Sequence, residues 1–298
     1  MSRDELAAMN SGVSSIPLAQ VHLAVVGVAR NCERTLRRDM QRLAQAVQGC
    51  ASVRFLIVES DSTDASVALL QALQDEWPNF GFISLGAQGE AHPLRTDRIA
   101  VSRNVCLDAL ATDARLAQVT HVLVADMDGV CRDLSPAGFA SCFALTVPWD
   151  ACFANQGDYY YDIWALRHPV WCPGDAWSEH AALKPILGEP EATNLALFSR
   201  MVHIPRDAAP IEVHSAFGGL GLYRKSALLA ARYQGLDGEG REVCEHVALH
   251  QRMRDNGARL FINPAMISAR STKHGGRKKF FRTLRRRLWN GLRGRGWR

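Results

Sequence analysis

"HVLVADMDGV", residues 121–130, runs from a short apolar stretch into two aspartates one residue apart, Asp126 and Asp128, and then a glycine. An apolar run of this length with β-branched valines reads as a buried strand. Carboxylates at the mouth of such a strand are costly unless something cationic, or a proton, sits between them. The nature of that partner decides what the chain does.

Outward from this stretch the same pattern recurs. "VHLAVVGVA" (21–29), "VRFLIV" (53–58) and "FGFISL" (80–85) read as further strands. Leu36, Met40, Leu43, Ala44 and Val47 follow the first at helical spacing, Val67, Leu70 and Leu73 follow the second, and 98–112 reads as a third helix. Strands alternating with helices predict an α/β fold with a mostly parallel central sheet flanked by helices. Ligands of such sheets bind beyond the carboxyl ends of the strands, where Glu59, Asp61 and Asp126 all fall. Residues 148–180, rich in Trp, Tyr, Asp and Pro, read as a long structured loop region. "AFGGLGLYRKSAL" (216–228) joins a glycine turn to a strand and a helix. "CEHVALHQRMRDNG" (244–257) is a helix stopped by Gly257, followed by the strand "ARLFIN" (258–263) and Pro264. No internal repeat or linker divides the chain. The expected division is a poorly ordered lead at 1–20, one domain at 21–270 and a basic tail at 271–298.

With 47% hydrophobic and 22% charged residues, the composition is that of an ordinary globular protein. The longest apolar stretches fall short of the ~20 residues that cross a bilayer, and the first residues lack the hydrophobic run of a signal peptide. The eight cysteines form no CxxC pair, so no zinc or disulfide framework is legible and reduced thiols in a cytosol are expected. The net charge of +5 conceals a division: residues 277–298 carry ten Lys or Arg and no acid, leaving 25 basic against 30 acidic residues in the rest.

Taken alone, Asp-x-Asp is more often a turn or helix cap than a site. An EF-hand is excluded, because it needs an oxygen ligand at Val130, a glycine at Cys131 and a glutamate at Ala137. A haloacid-dehalogenase-type phosphatase with Asp126 as nucleophile is a rival, since "VLVADMDGV" resembles that family's motif. No lysine occurs between Asp128 and Lys184, however, and "GDYYYD" (157–162) follows too closely to supply the later acids. The third reading is the metal-binding Asp-x-Asp of a nucleotide-sugar glycosyltransferase. A departing diphosphate needs a divalent cation to absorb its charge, and hard oxygen ligands suit Mg²⁺ or Mn²⁺. "VGVARN" lacks the G-x-G-x-x-G continuation of a dinucleotide site, and acid-rich "VESDSTDAS" (58–66) follows the second strand.

The order "VVGVARN", "VESDSTD", "RIAVSRN", "VADMDGV", "YYYDIWALR", "FGGLGLYR", "CEHVALHQRMRDNGARLFINP" resembles the cryptococcal capsule α-1,3-mannosyltransferase family. More distantly it resembles the large GT-A family that includes cellulose synthase, and the similarity covers about residues 21–267. The resemblance implies a GT-A fold and a set of roles. Arg30 and Glu59 would border the nucleotide, with Asp61 nearby. Arg98, Arg103 and Asn104 would reach the diphosphate or donor sugar, guanidinium forks being matched to phosphate oxygens. Asp126 and Asp128 would hold the metal, and His274 is a candidate third ligand. Asp162, Trp164, Gly218 and Gly219 would shape the donor-sugar and acceptor side. The family carries a single aspartate after a polar residue where this chain has "DMD", so either carboxylate can be the direct ligand.

Plainer readings stand beside these. Glu59 could cap the helix that begins near Asp64, Arg103 and Asn104 could lie on a solvated helix face, Trp164 could be packing, and His274 a surface residue. The resemblance also bears on stereochemistry. Inverting GT-A enzymes place an aspartate base in a Glu-Asp pair where this chain has Glu245-His246, whereas the mannosyltransferase family is retaining. Retention is therefore expected, with Glu245 orienting sugar or acceptor and His246 a metal ligand or a structural residue. GDP-mannose leads among donors through the family alone.

In the tail, Phe281, Leu284, Leu288 and Leu292 share one helical face among arginines. That pattern favours an interfacial helix on anionic lipid over nucleic acid, with a solvated tail as the alternative. It predicts a peripheral enzyme on the cytoplasmic face of a membrane, acting on a glycan or lipid-linked acceptor. A non-catalytic lipid- or nucleic-acid-binding protein would leave the clustered acids and arginines of the body without a role.

Overall fold

A computed structural model describes residues 16–270, so His274 and the basic tail lie outside the described residues. Eight strands form one sheet: β1 (His22–Ala29), β2 (Ser52–Glu59), β3 (Phe80–Ser84), β4 (His121–Asp126), β5 (Ala151–Gln156), β6 (Ile211–Glu212), β7 (Leu220–Arg224) and β8 (Leu260–Ala269). Their order is β3-β2-β1-β4-β7-β5-β8-β6. β1 to β4 are mutually parallel, β7 runs antiparallel between β4 and β5, β8 is parallel to β5, and β6 is antiparallel at the edge. The sheet is mostly parallel, as the alternation of elements predicts.

The helices α1 (Leu36–Ala46), α2 (Ser66–Glu76) and α3 (Arg95–Thr112) connect the first four strands. Alternate residues of a strand face opposite sides, and here both sides are covered. Leu23, Val25, Leu123 and Ala125 pack with Leu36, Met40, Leu43, Leu70 and Leu73 of α1 and α2. Ala24, Val26, Val122 and Val124 pack with Leu107 and Leu110 of α3. Burial on both faces explains why β1 and β4 are continuously apolar.

Two expectations are corrected. The supposed loop region 148–180 contains β5, an interior strand with all six residues buried. Its apolar signal is broken by Asn155 and Gln156, which the fold satisfies internally. Asn155 Nδ2 donates to the carbonyls of Ile204 and Pro264, and Gln156 Nε2 donates to Gly218 O and Ser268 Oγ. The last strand passes through Pro264 and runs on to Ala269. Pro264 is tolerated because pairing with β5 skips there: Ala154 faces Asn263, but Asn155 faces Ile267. A proline needs no ladder donor at such an irregularity.

Acid should weaken this fold. His250 is enclosed, its Nδ1 2.8 Å from Ser215 Oγ and its Nε2 2.9 Å from Tyr223 Oη. Burial lowers His250 to about 3. Burial and then Arg224 lower His121 to about 4, and burial with Arg103 and His250 holds His246 well below its ordinary value. All three are neutral in the fold, while the unfolded chain takes up their protons below about pH 6.5. Each therefore withdraws roughly 1.4 kcal/mol per pH unit as pH falls below that point. Buried Asp39, raised by burial to about 6, acts in the opposite sense, because its proton is held more tightly in the fold. Asp126 does so more weakly, being one-third exposed. Three histidines outweigh these two, so stability should drop by about 3 kcal/mol between pH 6.5 and 5. Urea midpoints across that range test this; a midpoint that holds or rises would mean the histidines are not carried neutral.

Candidate functional site

A cleft of about 760 Å³ opens where the carboxyl ends of β1 and β4 meet α3, the Asp162 turn and the start of the Glu245–Asp255 helix. Its walls begin with the turn after β1. Asn31, at φ +53°, accepts from Thr63 N through Oδ1 and donates its own N–H to Ser62 Oγ. Glu33 Oε2 accepts from Ala65 N, and Asp64 Oδ2 accepts from Glu33 N. The loops after β1 and β2 are thus laced together by short polar side chains.

The turn after β4 is pinned from α1. Asp39 Oδ2 accepts from Gly129 N at 2.8 Å, and Thr35 Oγ1 donates to Met127 O at 2.6 Å. Gly129 takes φ +91°, the left-handed region open to glycine. This places Met127 inward and Asp128 outward at the cleft.

The cation beside Asp126 in the structure is the guanidinium of Arg103. Arg103 Nη2 donates to Asp126 Oδ1 at 2.9 Å and Nε donates to Glu245 Oε1 at 3.1 Å. The guanidinium carbon lies 5.2 Å from the Phe217 ring centroid and 5.7 Å from that of Tyr233. Arg103 is only 5% exposed. Its burial opposes the charge, but Asp126 and Glu245 outweigh that and hold it protonated. Burial pushes Asp126 up to about 6 while Arg103 holds it down, so the carboxylate is ionised at neutral pH. Arg103 Nη1 has no hydrogen-bond partner among the described residues.

Arg30, Arg98, Arg103, Asp126, Asp128, Asp162, Trp164, Glu245 and His246 are brought together around the cleft. Arg103 does not stand in solvent reaching outward but is built into the floor. Arg98 donates to the carbonyls of His92 and Pro93 and so braces the loop before α3. Burial raises the Asp162 carboxyl despite donation from the Gly218 and Ala165 N–H groups. His246 stacks on Phe217, ring centroids 3.7 Å apart, and neither ring nitrogen has a hydrogen-bond partner. It sits as packing, and among the described residues no three His, Cys, Asp or Glu side chains group to hold a metal ion.

Five of the expected residues do not line the cleft. Glu59 is buried and spends its carboxylate on Ser62 N and Ser84 Oγ. Asp61, at φ +56°, accepts from Gln88 N and Gly89 N and organises the loop after β3. Asn104 exchanges both amide atoms with the backbone of Tyr233. Gly218 and Gly219 shape the wall from behind, both at positive φ. A side chain at Gly218 would meet Ala154 O at 2.6 Å, and one at Gly219 would meet Val130 at 2.5 Å. Gly218→Ala should therefore cost about 2–4 kcal/mol in urea unfolding. A loss under ~1 kcal/mol would show that the loop relaxes and Asp162 is not rigidly held.

Sequence reasoning passed over Arg34, Arg95, Asp64 and Phe217, all of which line the cleft. A signal for Arg95 existed: Arg95, Arg98, Ile99, Ser102 and Arg103 form an i, i+3, i+4, i+7, i+8 stripe on α3, and all five face the cleft. The phosphatase arrangement is not met, since no lysine lines the cleft and, of the "GDYYYD" acids, only Asp162 does.

No protein-family model and no curated protein sequence matches the chain, so its resemblance to the capsular mannosyltransferase family rests on motifs alone. Solved structures do match. The mannosyltransferase PcManGT from Pyrobaculum calidifontis, in complex with GDP-Man and Mn²⁺, aligns at 12% identity and TM-score 0.52, over 95% of this chain and 70% of that one. TarS 1-349 from S. aureus, in complex with UDP-GlcNAc, aligns at 13% identity and TM-score 0.51, over 89% of this chain and 65% of that one. Another structure of TarS 1-349 is covered over 58% of its length. This chain therefore spans less than two thirds of TarS. At such identities the likeness is one of fold, and with the strand order and the cleft at the β1 and β4 ends it shows that the chain has the GT-A glycosyltransferase fold.

Proposed function

We propose that the chain is a metal-dependent glycosyltransferase that moves a sugar from a nucleotide-diphosphate donor to a glycan or lipid-linked acceptor. The observation that carries this is the floor of the cleft. Arg103 ties Asp126 to Glu245, Asp128 stands beside them, and Arg30, Arg34, Arg95 and Arg98 line the same opening. Such a site is cationic where a diphosphate would enter and anionic where a cation would sit. The donor set fits a hard divalent ion, which Asp128 and the remaining carboxylate oxygen of Asp126 would hold. Bound there, Mn²⁺ or Mg²⁺ would neutralise charge on the departing diphosphate.

The chain's own residues do the rest. The exposed arginines draw in and orient the diphosphate, and Arg103 keeps Asp126 and Glu245 in register. Asp162, anchored on Gly218 N, and Trp164 bound the side where sugar and acceptor meet. Glu245 is committed to Arg103 and His246 is stacked and neutral, so neither is placed as a free general base. That supports a retaining transfer: the acceptor oxygen bonds to the anomeric carbon on the face the phosphate leaves, and the departing phosphate oxygen takes the acceptor's proton. The mannosyltransferase likeness supports GDP-mannose as first donor to try, and the basic residues 277–298 support a place on the cytoplasmic face of an anionic membrane.

Thermal shifts with a panel of nucleotide sugars, with and without Mn²⁺, test the reading. A metal-dependent shift with one donor is expected. Stabilisation by none, together with hydrolysis of phosphate monoesters, would replace it with the phosphatase. The product anomer, read by NMR from an α-linked donor, tests retention; a β-linked product would overturn it.

A further inference from the structure

Three parts of the cleft are fastened to one turn, and a buried residue outside the cleft holds that turn from behind. The turn is Phe217-Gly218-Gly219, just before β7. The Phe217 ring stacks on His246 and lies 5.2 Å from the guanidinium carbon of Arg103. Gly218 N donates to Asp162 Oδ2 at 2.9 Å, and Gly219 O accepts from Asp126 N at 3.0 Å. Asp162 and Asp126 are thus spaced through two adjacent glycines.

Gln156, the last residue of β5, is 1% exposed and does not line the cleft. Its carboxamide joins the two sides of the turn. Oε1 accepts from Tyr161 N at 3.4 Å, while Nε2 donates to Gly218 O at 3.1 Å and to Ser268 Oγ at 3.2 Å. A closed circuit results, from Gln156 to Tyr161, along the chain to Asp162, across to Gly218 and back to Gln156. Asp162 is therefore held twice, at the peptide that precedes it and at its own carboxylate. Gly218 O accepts from Ser268 Oγ as well, at 3.1 Å, so Gln156 is not needed to satisfy that carbonyl. A buried carboxamide is costly where an apolar side chain would fill the strand. What a fully satisfied polar network supplies instead is rigidity.

We propose that Gln156 is a positioning residue for sugar transfer: it holds Asp162 against the Asp126–Arg103–Glu245 floor without touching either substrate. The inference rests on reading the cleft as a transferase site. During transfer the incoming oxygen must meet the anomeric carbon while the diphosphate is held on the floor. A displacement of about 1 Å, even one caused far from the chemistry, can cost ~100-fold in rate. Without the carboxamide the bond to Tyr161 N is lost and the Asp162 turn loosens, whereas Asp126 stays in β4 through its pairing with β1. Turnover should therefore suffer and nucleotide-sugar binding should not.

Turnover is read as GDP or UDP released from GDP-mannose or UDP-GlcNAc in Mn²⁺, with water as the acceptor. The water oxygen bonds to the anomeric carbon, the bond from that carbon to the phosphate oxygen breaks, and the departing diphosphate takes the proton. Gln156→Met is expected to lower kcat by ~30- to 100-fold. Its Kd for the nucleotide sugar, by calorimetry, should stay within about threefold of wild type. Exchange of the Gly218 amide, followed by NMR, should be at least ~10-fold faster. Ser268→Ala is the structural control: it removes a buried hydroxyl and should lower the melting temperature, but it leaves Gln156 bonded to Tyr161 N and Gly218 O, so kcat should hold within about threefold. If Gln156→Met does not fold, Gln156→Asn replaces it with the same expectations, since the shorter amide cannot reach both Tyr161 and Gly218. A kcat within about threefold of wild type in the Gln156 variant overturns the inference. So does an equal loss in Ser268→Ala, which would tie turnover to stability alone. A wild type that releases neither diphosphate overturns the transferase reading and this inference with it, whereas an active wild type beside an equally active Gln156 variant overturns this inference alone.

Discussion

Arg103→Met is expected to cost the fold about 3–5 kcal/mol and to remove transferase turnover by at least ~100-fold, the outcome when a buried ion pair loses one partner. The guanidinium donates to both Asp126 Oδ1 and Glu245 Oε1 in the floor of the cleft. Its loss leaves two carboxylates beside Phe217 and Tyr233 with no compensating charge. A methionine fills the volume, so the deficit is electrostatic rather than a cavity. Arg103→Lys should rescue little, because one ammonium cannot present the fixed fork that spans both acids. The informative measurement is a double variant: Arg103→Met/Glu245→Gln should recover part of the stability, since it removes one of the stranded charges. If Arg103→Met unfolds at the wild-type urea concentration, the triad is not what holds the floor together.

Asp128→Ala is expected to separate function from stability. The residue is exposed at the tip of the turn after β4, and Asp39 and Thr35 hold that turn through the backbone atoms of Gly129 and Met127. Its removal should change stability by under ~0.5 kcal/mol, as for other surface substitutions. The Mn²⁺-dependent part of donor stabilisation should vanish, and turnover should fall ~100- to 1,000-fold, the effect typical of losing a group that stabilises developing charge. Titration calorimetry with donor nucleotide, in Mn²⁺ and in chelator, reads this directly. Full metal-dependent binding by Asp128→Ala would make Asp126 the sufficient carboxylate, and Asp126→Asn the variant that decides.

The two aspartates show how far sequence goes at this site. Their place at a strand end was legible from the apolar run before them, because a buried parallel strand must be continuously hydrophobic. That a cation partners Asp126 followed from the cost of burying a carboxylate. Which cation could not be read, because Arg103 is 23 residues away and Glu245 lies 142 residues from Arg103. Only the packing of α3 and the Glu245–Asp255 helix onto the sheet brings the three side chains within hydrogen-bond distance. Glu59, Asp61 and Asn104 show the converse. Polar residues near a strand end look alike in sequence whether they face a ligand or tie down a loop, and here the hydrogen bonds to Ser62, Gln88 and Tyr233 assign them to loops.

By itself, then, the sequence determined the alternation of strands and helices, the mostly parallel sheet and the edge at which its carboxylates gather. These follow from hydrophobic periodicity, a local property of consecutive residues. The tertiary structure alone decided that β5 is an interior strand despite Asn155 and Gln156, that Pro264 sits within β8, and that β7 runs against its neighbours. It also decided that Arg103 belongs to the floor and not the rim. Each of these depends on partners distant in the chain, and the energy of a buried polar or charged group is set by what the fold places against it.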